Sequence, residues 1–328
     1  LLYKILKEVR QTLIDRGVRI LHRTRLVGLD VRGGRVRGVD LEPGGRLDCR
    51  AVVLATGHSA RDVFEMLDRT GATLEAKPFA LGVRAEHPQR LIDAAQYHLR
   101  GDRPDTLPPA DYRLAHTEGD RGVYSFCMCP GGMVVPTATE PETVVVNGMS
   151  SAKRGSPYAN SGLVVQVTPA DWAQLGFGDD ALSGVRFQRS LEQAAYRMGG
   201  GGYRVPAARA DRFLAGKPTP ELAPSHFRPG LEPADLDALF PPFVLDTLRA
   251  GLRRFDRTLR GYASSEANLL AVESRTSSPV RIVRDATTRE AIGLPGLFVA
   301  GEGPGYAGGI MSAALDGLRV AHALLEHR

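Results

Sequence analysis

Cysteine is scarce in this chain, with three in 328 residues. So small and odd a number excludes the closed disulfide framework of small secreted domains and points to a reducing compartment, the cytoplasm. Long apolar runs are missing too: no stretch approaches the roughly 18 apolar residues of a membrane-crossing helix. Residues 1–16 carry Lys4, Lys7, Glu8, Arg10 and Asp15, so this segment does not read as a secretory leader. Lysine is nearly absent. Only five occur, and the formal charge of +5 rests almost wholly on arginine. Aromatic residues make up 6%. A nucleic-acid surface needs clustered basic residues interleaved with stacking aromatics, whereas these arginines are scattered, Arg32, Arg35 and Arg37 forming the densest group. Repeats and low-complexity tracts are absent. Gly199–Gly202 lacks the Lys-Ser or Lys-Thr of a phosphate loop and reads as a flexible joint. The chain opens on Leu1 rather than Met, which reads as a piece of something longer.

What is present suits a globular protein of two ordinary domains or one large one: 43% of residues are hydrophobic and 24% charged. Leu1, Leu2, Ile5, Leu6, Val9, Leu13 and Ile14 make one stripe of an amphipathic helix, which Gly17 ends. Strand-like runs follow at Val18–Leu21, Arg25–Val31, Arg35–Glu42 and Arg46–Arg50, punctuated by Gly33-Gly34 and Gly44-Gly45 as hairpin turns. Ala51–Ala55 is apolar throughout, as a parallel strand buried on both faces would be. It runs into Thr56-Gly57-His58 and a helix over 59–69, the place where open α/β sheets bind ligands. The stretch 77–270 is rich in Pro, Gly and irregular segments. Strands are predicted there at 79–86, 143–149 and 162–168, and helices at 187–198 and 233–255. Beyond Glu273, Val280–Val283 and Leu297–Ala300 read as strands and 310–326 as a helix. The predicted buried stripe of that helix is Met311, Ala314, Leu318, Ala321 and Leu325.

Residues 303–308, GPGYAG, are a literal G-x-G-x-x-G between a strand and a helix. A dinucleotide fingerprint works because its helix leads to a second strand bearing an acid for the ribose. After Gly308 there is room for one helix only. The motif therefore reads as the last strand–loop–helix of a domain, not its first.

The combination of Ala51–Gly57 (AVVLATG), the meander before it and the closing FVAGEGPGYAGGIMSAALDGLRVA resembles the FAD-dependent oxidoreductases with a glutathione-reductase-like flavin domain. It is most similar to the uncharacterised FAD-dependent dehydrogenases of bacteria and plastids. GHSARDVFEML, KPFALGVRAEHPQ, SFCMCPGGMVVP and ESRTSSPVRI are also like that family's, so the resemblance covers nearly the whole chain. It implies an α/β fold: an FAD/NAD(P)-binding Rossmann-type domain, residues 1–76 and 271–328, with an inserted α+β cap or substrate domain at 77–270. The family's N-terminal strand–GxGxxG–helix for the FAD pyrophosphate has no counterpart here. The domain is thus expected to be incomplete at its N-terminus and to bind FAD poorly alone, with an apolar edge exposed beside the strand that ends in Thr56-Gly57.

By the same resemblance Glu302, next to Gly301, would bind the ribityl hydroxyls, and the amides of Gly308, Gly309 and Ile310 would face the flavin N1–C2=O edge. Reduction places negative charge there, which a helix N-terminus stabilises, and glycines let the backbone come close. Thr56 and Gly57 would form the FAD-side crossover, and the Leu26 backbone would lie by the adenine. The competing reading of 301–310 is a glycine turn capping a surface helix. The implied activity is that of an FAD-dependent oxidoreductase passing a hydride through flavin N5. Its partners would be a small-molecule substrate or electron donor, NAD(P)H being one candidate, with no nucleic acid and no membrane. The alternatives are a non-catalytic binding module on a truncated flavoprotein scaffold and a flavoprotein acting in RNA modification.

In the middle segment, Cys127 and Cys129 could both face one pocket on a strand. They read either as buried reduced cysteines or as groups beside the flavin; zinc would need two further ligands. Arg275 reads as a clamp for an anionic substrate or as the partner of Glu273 or a surface acid. His58 and His87 are possible acid–base groups or structural residues. No metal site is expected.

Overall fold

The structure, a computed structural model, describes residues 2–326; Leu1 and the side chain of Leu2, both assigned to the first helical stripe, lie outside the described residues. The chain divides into two compact units, residues 1–74 with 282–328, and residues 75–281.

The first unit begins with α1 (Leu2–Asp15). Gly17, at φ 83°, closes it, and the Val18 N–H donates back to the Leu13 carbonyl at 3.0 Å. That helix-capping bond takes up Val18, and no strand forms over Val18–Leu21 as predicted. β1 (Arg25–Arg32), β2 (Arg35–Glu42) and β3 (Gly45–Asp48) make an antiparallel meander in that order. Gly33 and Gly34, at φ 60° and 69°, supply the two left-handed residues of a tight hairpin turn. β4 (Val52–Leu54) and α2 (Arg61–Thr70) follow, α2 burying Val63, Phe64, Met66 and Leu67. β4 is not buried on both faces as predicted. Leu54 points inward, whereas Val53 is 48% exposed.

β5 (Leu74–Ala76) leads into the second unit. In chain order this holds β6 (Phe79–Pro88), α3 (Gln89–Tyr97), β7 (Ala115–Glu118), β8 (Arg121–Cys129), β9 (Gly132–Pro136) and β10 (Val146–Ser150). Then come β11 (Tyr158–Val167), α4 (Pro169–Gln174), α5 (Ser183–Met198), β12 (Val205–Arg209) and α6 (Ala210–Leu214). β13 (Leu231–Pro233), α7 (Pro242–Thr258), β14 (Asn268–Glu273) and β15 (Val280–Ile282) complete the series. Far from being irregular, this segment is the most regular part of the molecule. Its seven-stranded mixed sheet runs β13-β12-β14-β6-β11-β8-β7, every pair antiparallel except β12–β13. Composition concealed it because the central strands carry buried polar residues, among them Arg84, Glu86 and His87 on β6. α7 starts at Pro242 rather than near 233, since Pro241-Pro242 breaks any earlier helix and proline is at home in the first turn. α5 packs on β12 and β14, and α7 on β7 and β8. Gly199–Gly202 forms the turn from α5 to β12, with left-handed φ at its last three residues.

β16 (Leu297–Val299) and α8 (Ile310–Glu326) return the chain to the first unit, where β16 pairs parallel with β4. α8 turns a different face inward from the one predicted. Met311, Ala314, Leu318, Ala321 and Leu325 are exposed, while Asp316, Val320 and Ala323 are buried. Apolar residues ring much of this helix, so periodicity cannot choose its inner face. The choice is made by Val320 packing with Phe298 and Ala300, and by an ion pair of Asp316.

Candidate functional site

Two parallel strands that end side by side create the site. β4 and β16 are in register at Leu297↔Val52, Phe298↔Val53 and Val299↔Leu54, and the Ala300 N–H donates to the Leu54 carbonyl at 3.0 Å. Their carboxyl ends therefore deliver Thr56-Gly57-His58 and Gly301-Glu302-Gly303 to one place. The two loops touch through backbone. A Cβ on Gly303 would sit 2.9 Å from the Gly57 oxygen, so only glycine allows this approach. His58 Nδ1 and Glu302 Oε1 are 3.1 Å apart, both side chains partly exposed.

A buried ion pair fixes the loop after β16. Arg284 holds Asp316 with two hydrogen bonds of 2.6 and 3.0 Å and donates to the Val299 carbonyl at 2.6 Å. Asp316 also accepts the Gly301 N–H at 2.8 Å, and the Arg284 guanidinium lies 3.8 Å over the Tyr306 ring. Burial pushes the Asp316 carboxyl up, but the Arg284 hydrogen bonds and the Gly301 N–H outweigh it and hold it below the usual range. Arg284, Tyr306 and Asp316 thus set the course of residues 301–306. Sequence reasoning missed all three, since partners 32 residues apart leave no local pattern.

Gly308 is exposed, Gly309 half-buried, and an added Cβ on either would meet open space. The Gly308 N–H donates to Ser312 Oγ at 3.3 Å. Helix geometry gives the first amides of α8 no partner within the helix. The N-terminus of α8 is therefore open to a ligand and carries partial positive charge. Of the predicted site residues, Thr56, Gly57, Gly301 and Glu302 converge at the two strand ends, and Gly308, Gly309 and Ile310 follow in the same loop. Leu26 lies apart from them, on β1 of the meander.

The second unit takes up the other candidates. His87 is fully buried, Nε2 2.8 Å from the Tyr262 carbonyl, and burial lowers its pKa to about 4. It is a neutral core residue. Arg275 is buried against Glu192 through bonds of 3.1 and 2.9 Å, so neither Glu273 nor a surface acid is its partner. Glu273 instead accepts from Arg84, which is fully buried and also bonds Asn160 and the Cys127 carbonyl. Cys127 is exposed and Cys129 half-buried. Among the described residues no cluster of ligating side chains could hold a metal ion, and no helix is long and apolar enough to cross a membrane.

Residues 78–276 match the model of a family described as FAD-dependent protein, C-terminal domain-like. The chain belongs to that FAD-dependent family. Residues 3–120 match a second model, that of FAD dependent oxidoreductases, and FAD is the cofactor common to both. A protein of Clostridium beijerinckii, described only as uncharacterized, is 41% identical over 331 residues that cover 99% of this chain. The chain spans 61% of that relative's length. The strand ends and the N-terminus of α8 bring a carboxylate and backbone N–H groups together, an acceptor and donors of the kind the polar groups of FAD require. Among the described residues, no second glycine-rich strand–turn–helix offers a cradle for the pyrophosphate.

Proposed function

We propose that the unit formed by 1–74 and 282–328 is part of a glutathione-reductase-like FAD-binding domain, and that 75–281 is a cap or substrate unit. Together they would serve a dehydrogenase that acts on a small molecule. The observation that carries this reading is the pair of parallel strands ending in Thr56-Gly57 and Gly301-Glu302, followed by the open N-terminus of α8. FAD, when bound, supplies hydride transfer through its N5 atom. The residues of the chain do the rest. Glu302 accepts hydrogen bonds from the ribityl hydroxyls. The amides of Gly309 and Ile310, with that of Gly308 when it turns from Ser312, stabilise negative charge at the ring edge. Arg284 and Asp316 hold the loop that positions them. Leu26 is assigned to the adenine end through its backbone. The exposed apolar faces of α1, β4 and α8 support a further strand and helix of the same domain packing there.

Titrating apo-protein with FAD tests the assignment. Glu302→Ala should weaken binding by about 1.5–3 kcal/mol, the worth of a charged hydrogen bond, or roughly ten- to hundredfold. Equal affinity for variant and parent would remove Glu302 from the site.

A further inference from the structure

β8 ends in Cys127-Met128-Cys129 with an irregular backbone. Phe126 pairs with Gly162 of β11 and Cys129 with Asn160, so Cys127 and Met128 together oppose the single residue Ser161. Within this bulge Cys127 adopts φ 43°, a left-handed conformation that a β-carbon makes costly. Strained non-glycine residues of this kind concentrate at working sites. The bulge exposes Cys127 to a cleft of about 480 Å³, lined also by Tyr112, Tyr124, Ser125 and Met128.

Beneath it lies an unusual investment of buried charge. The Arg84 guanidinium, wholly inside, donates to the Cys127 carbonyl at 2.6 Å and to the Cys129 sulfur at 3.5 Å, while Glu273 neutralises it from the other side at 2.8 Å. Two glycines make room for the pair. A Cβ on Gly148 would come within 1.9 Å of Arg84 Nη2, and one on Gly162 within 2.9 Å of Glu273 Oε1. Cys129 reaches back to the Cys127 carbonyl at 3.3 Å, so its sulfur sits between its neighbour and a fixed cation. Burial pushes the Cys129 thiol up and Arg84 pulls against that shift. Cys129 therefore rests protonated, yet any negative charge it develops has a cation at hand. The accessible thiol is Cys127.

We propose that Cys127 and Cys129 form a thiol–disulfide exchange centre for small disulfide compounds, with Cys127 the attacking thiol and Cys129 the resolving one. The Cys127 thiolate attacks one sulfur of a disulfide RS–SR, forming a mixed disulfide and releasing RS⁻. Cys129 then gives its proton to solvent and attacks Cys127 Sγ, displacing the second RS⁻ and closing an internal disulfide. Two protein thiols are oxidised, one disulfide is reduced, and the two leaving thiolates take up protons from solvent. Arg84 offsets the charge on Cys129 as its proton leaves. A bond between residues so close in sequence is strained and hence readily reduced again. The inference stands on the second unit alone and is independent of the flavin reading.

Oxidised glutathione is the probe. The full chain is exposed to it, quenched in acid, alkylated and digested with trypsin. Both cysteines fall in one fragment, 122–153, and Cys49 falls in another that reports non-specific oxidation. The expected product is fragment 122–153 short of two hydrogens and blocked to alkylation, with no lasting glutathione adduct. Cys129→Ser should accumulate glutathione on Cys127. Cys127→Ser should acquire its adduct at least about tenfold more slowly, because a half-buried, protonated thiol is a poorer nucleophile than an exposed one. Persistent adducts on the parent chain without an internal disulfide, or equal rates for the two variants, would overturn the proposal.

Discussion

The two units manage their apolar groups in opposite ways, although each buries an ion pair. Among the described residues the second unit exposes Met149, Leu175 and Tyr203 as its large apolar side chains, and it buries the whole of β14 along with the Arg84–Glu273 and Arg275–Glu192 pairs. The first exposes Ile5, Leu6 and Val9 on α1, Val53 on β4, and Ile310, Met311, Leu315, Leu318 and Leu325 on α8. Each such side chain is about half to three-quarters exposed and so forgoes part of the roughly 1.5–3 kcal/mol that full burial would contribute. One unit is closed on itself, even around arginine and glutamate. The other presents apolar faces and an open helix terminus. The larger buried core lies in the second unit and the proposed cofactor chemistry in the first.

That contrast is most sharply tested at Arg84 and Glu273. Removing one partner leaves a buried charge uncompensated, so Glu273→Ala should cost about 3–5 kcal/mol in urea unfolding. Replacing both with apolar residues, as in Arg84→Met with Glu273→Leu, should cost much less, since the desolvated charges leave together. A mild effect of the single variant would show that water reaches the pair and that the second unit is not closed.

Next in size is the acid response of His87. Its pKa falls from 6.5 to about 4 on folding, because burial disfavours the charged ring. Between those values the unfolded chain binds a proton that the folded chain refuses, so stability drains as pH falls through this window. The loss amounts to roughly 3 kcal/mol by pH 4. His87→Gln, which can still donate to the Tyr262 carbonyl, should flatten that limb when midpoints at pH 7 and pH 4 are compared. Glu86 and Glu273, whose carboxyls burial pushes up, are common to both proteins and drop out of the difference.

Gly309→Val probes the first unit. The added side chain meets open space in the protein, so stability should change by no more than about 1 kcal/mol, the cost of a poorer helix cap. Flavin affinity should nevertheless fall. A variant that binds FAD like the parent would leave Gly309 as a helix cap only. The smallest effect is expected at the exposed face of α8, where Leu318→Gln should shift stability by less than about 0.5 kcal/mol. A loss as large as that of a core substitution would mean that this face is covered in solution, and would erase the contrast between the units.

The chain's order of residues is enough to place several elements. The two left-handed glycines at 33–34 specify a hairpin because few other residues accept that backbone. The run into Thr56-Gly57, the run into Gly301-Glu302 and the glycines before α8 likewise mark strand–loop–helix units by local chemistry alone. Tertiary structure decided what no local pattern encodes. It turned α8 by packing Val320 on Phe298 and by joining Asp316 to Arg284, although the apolar residues of the helix allowed another face. It laid the two glycine loops against each other through β4 and β16, whose sequence separation exceeds 240 residues. It gathered Arg84, Gly148, Gly162 and Glu273 from four strands under Cys127 and Cys129, a cluster that reads in sequence as scattered polar and small residues within apolar runs. Short-range conformational preference is written residue by residue. The pairing of buried charges and the choice of a helix's inner face depend on which distant strands come to lie alongside, and that is settled only when the core closes.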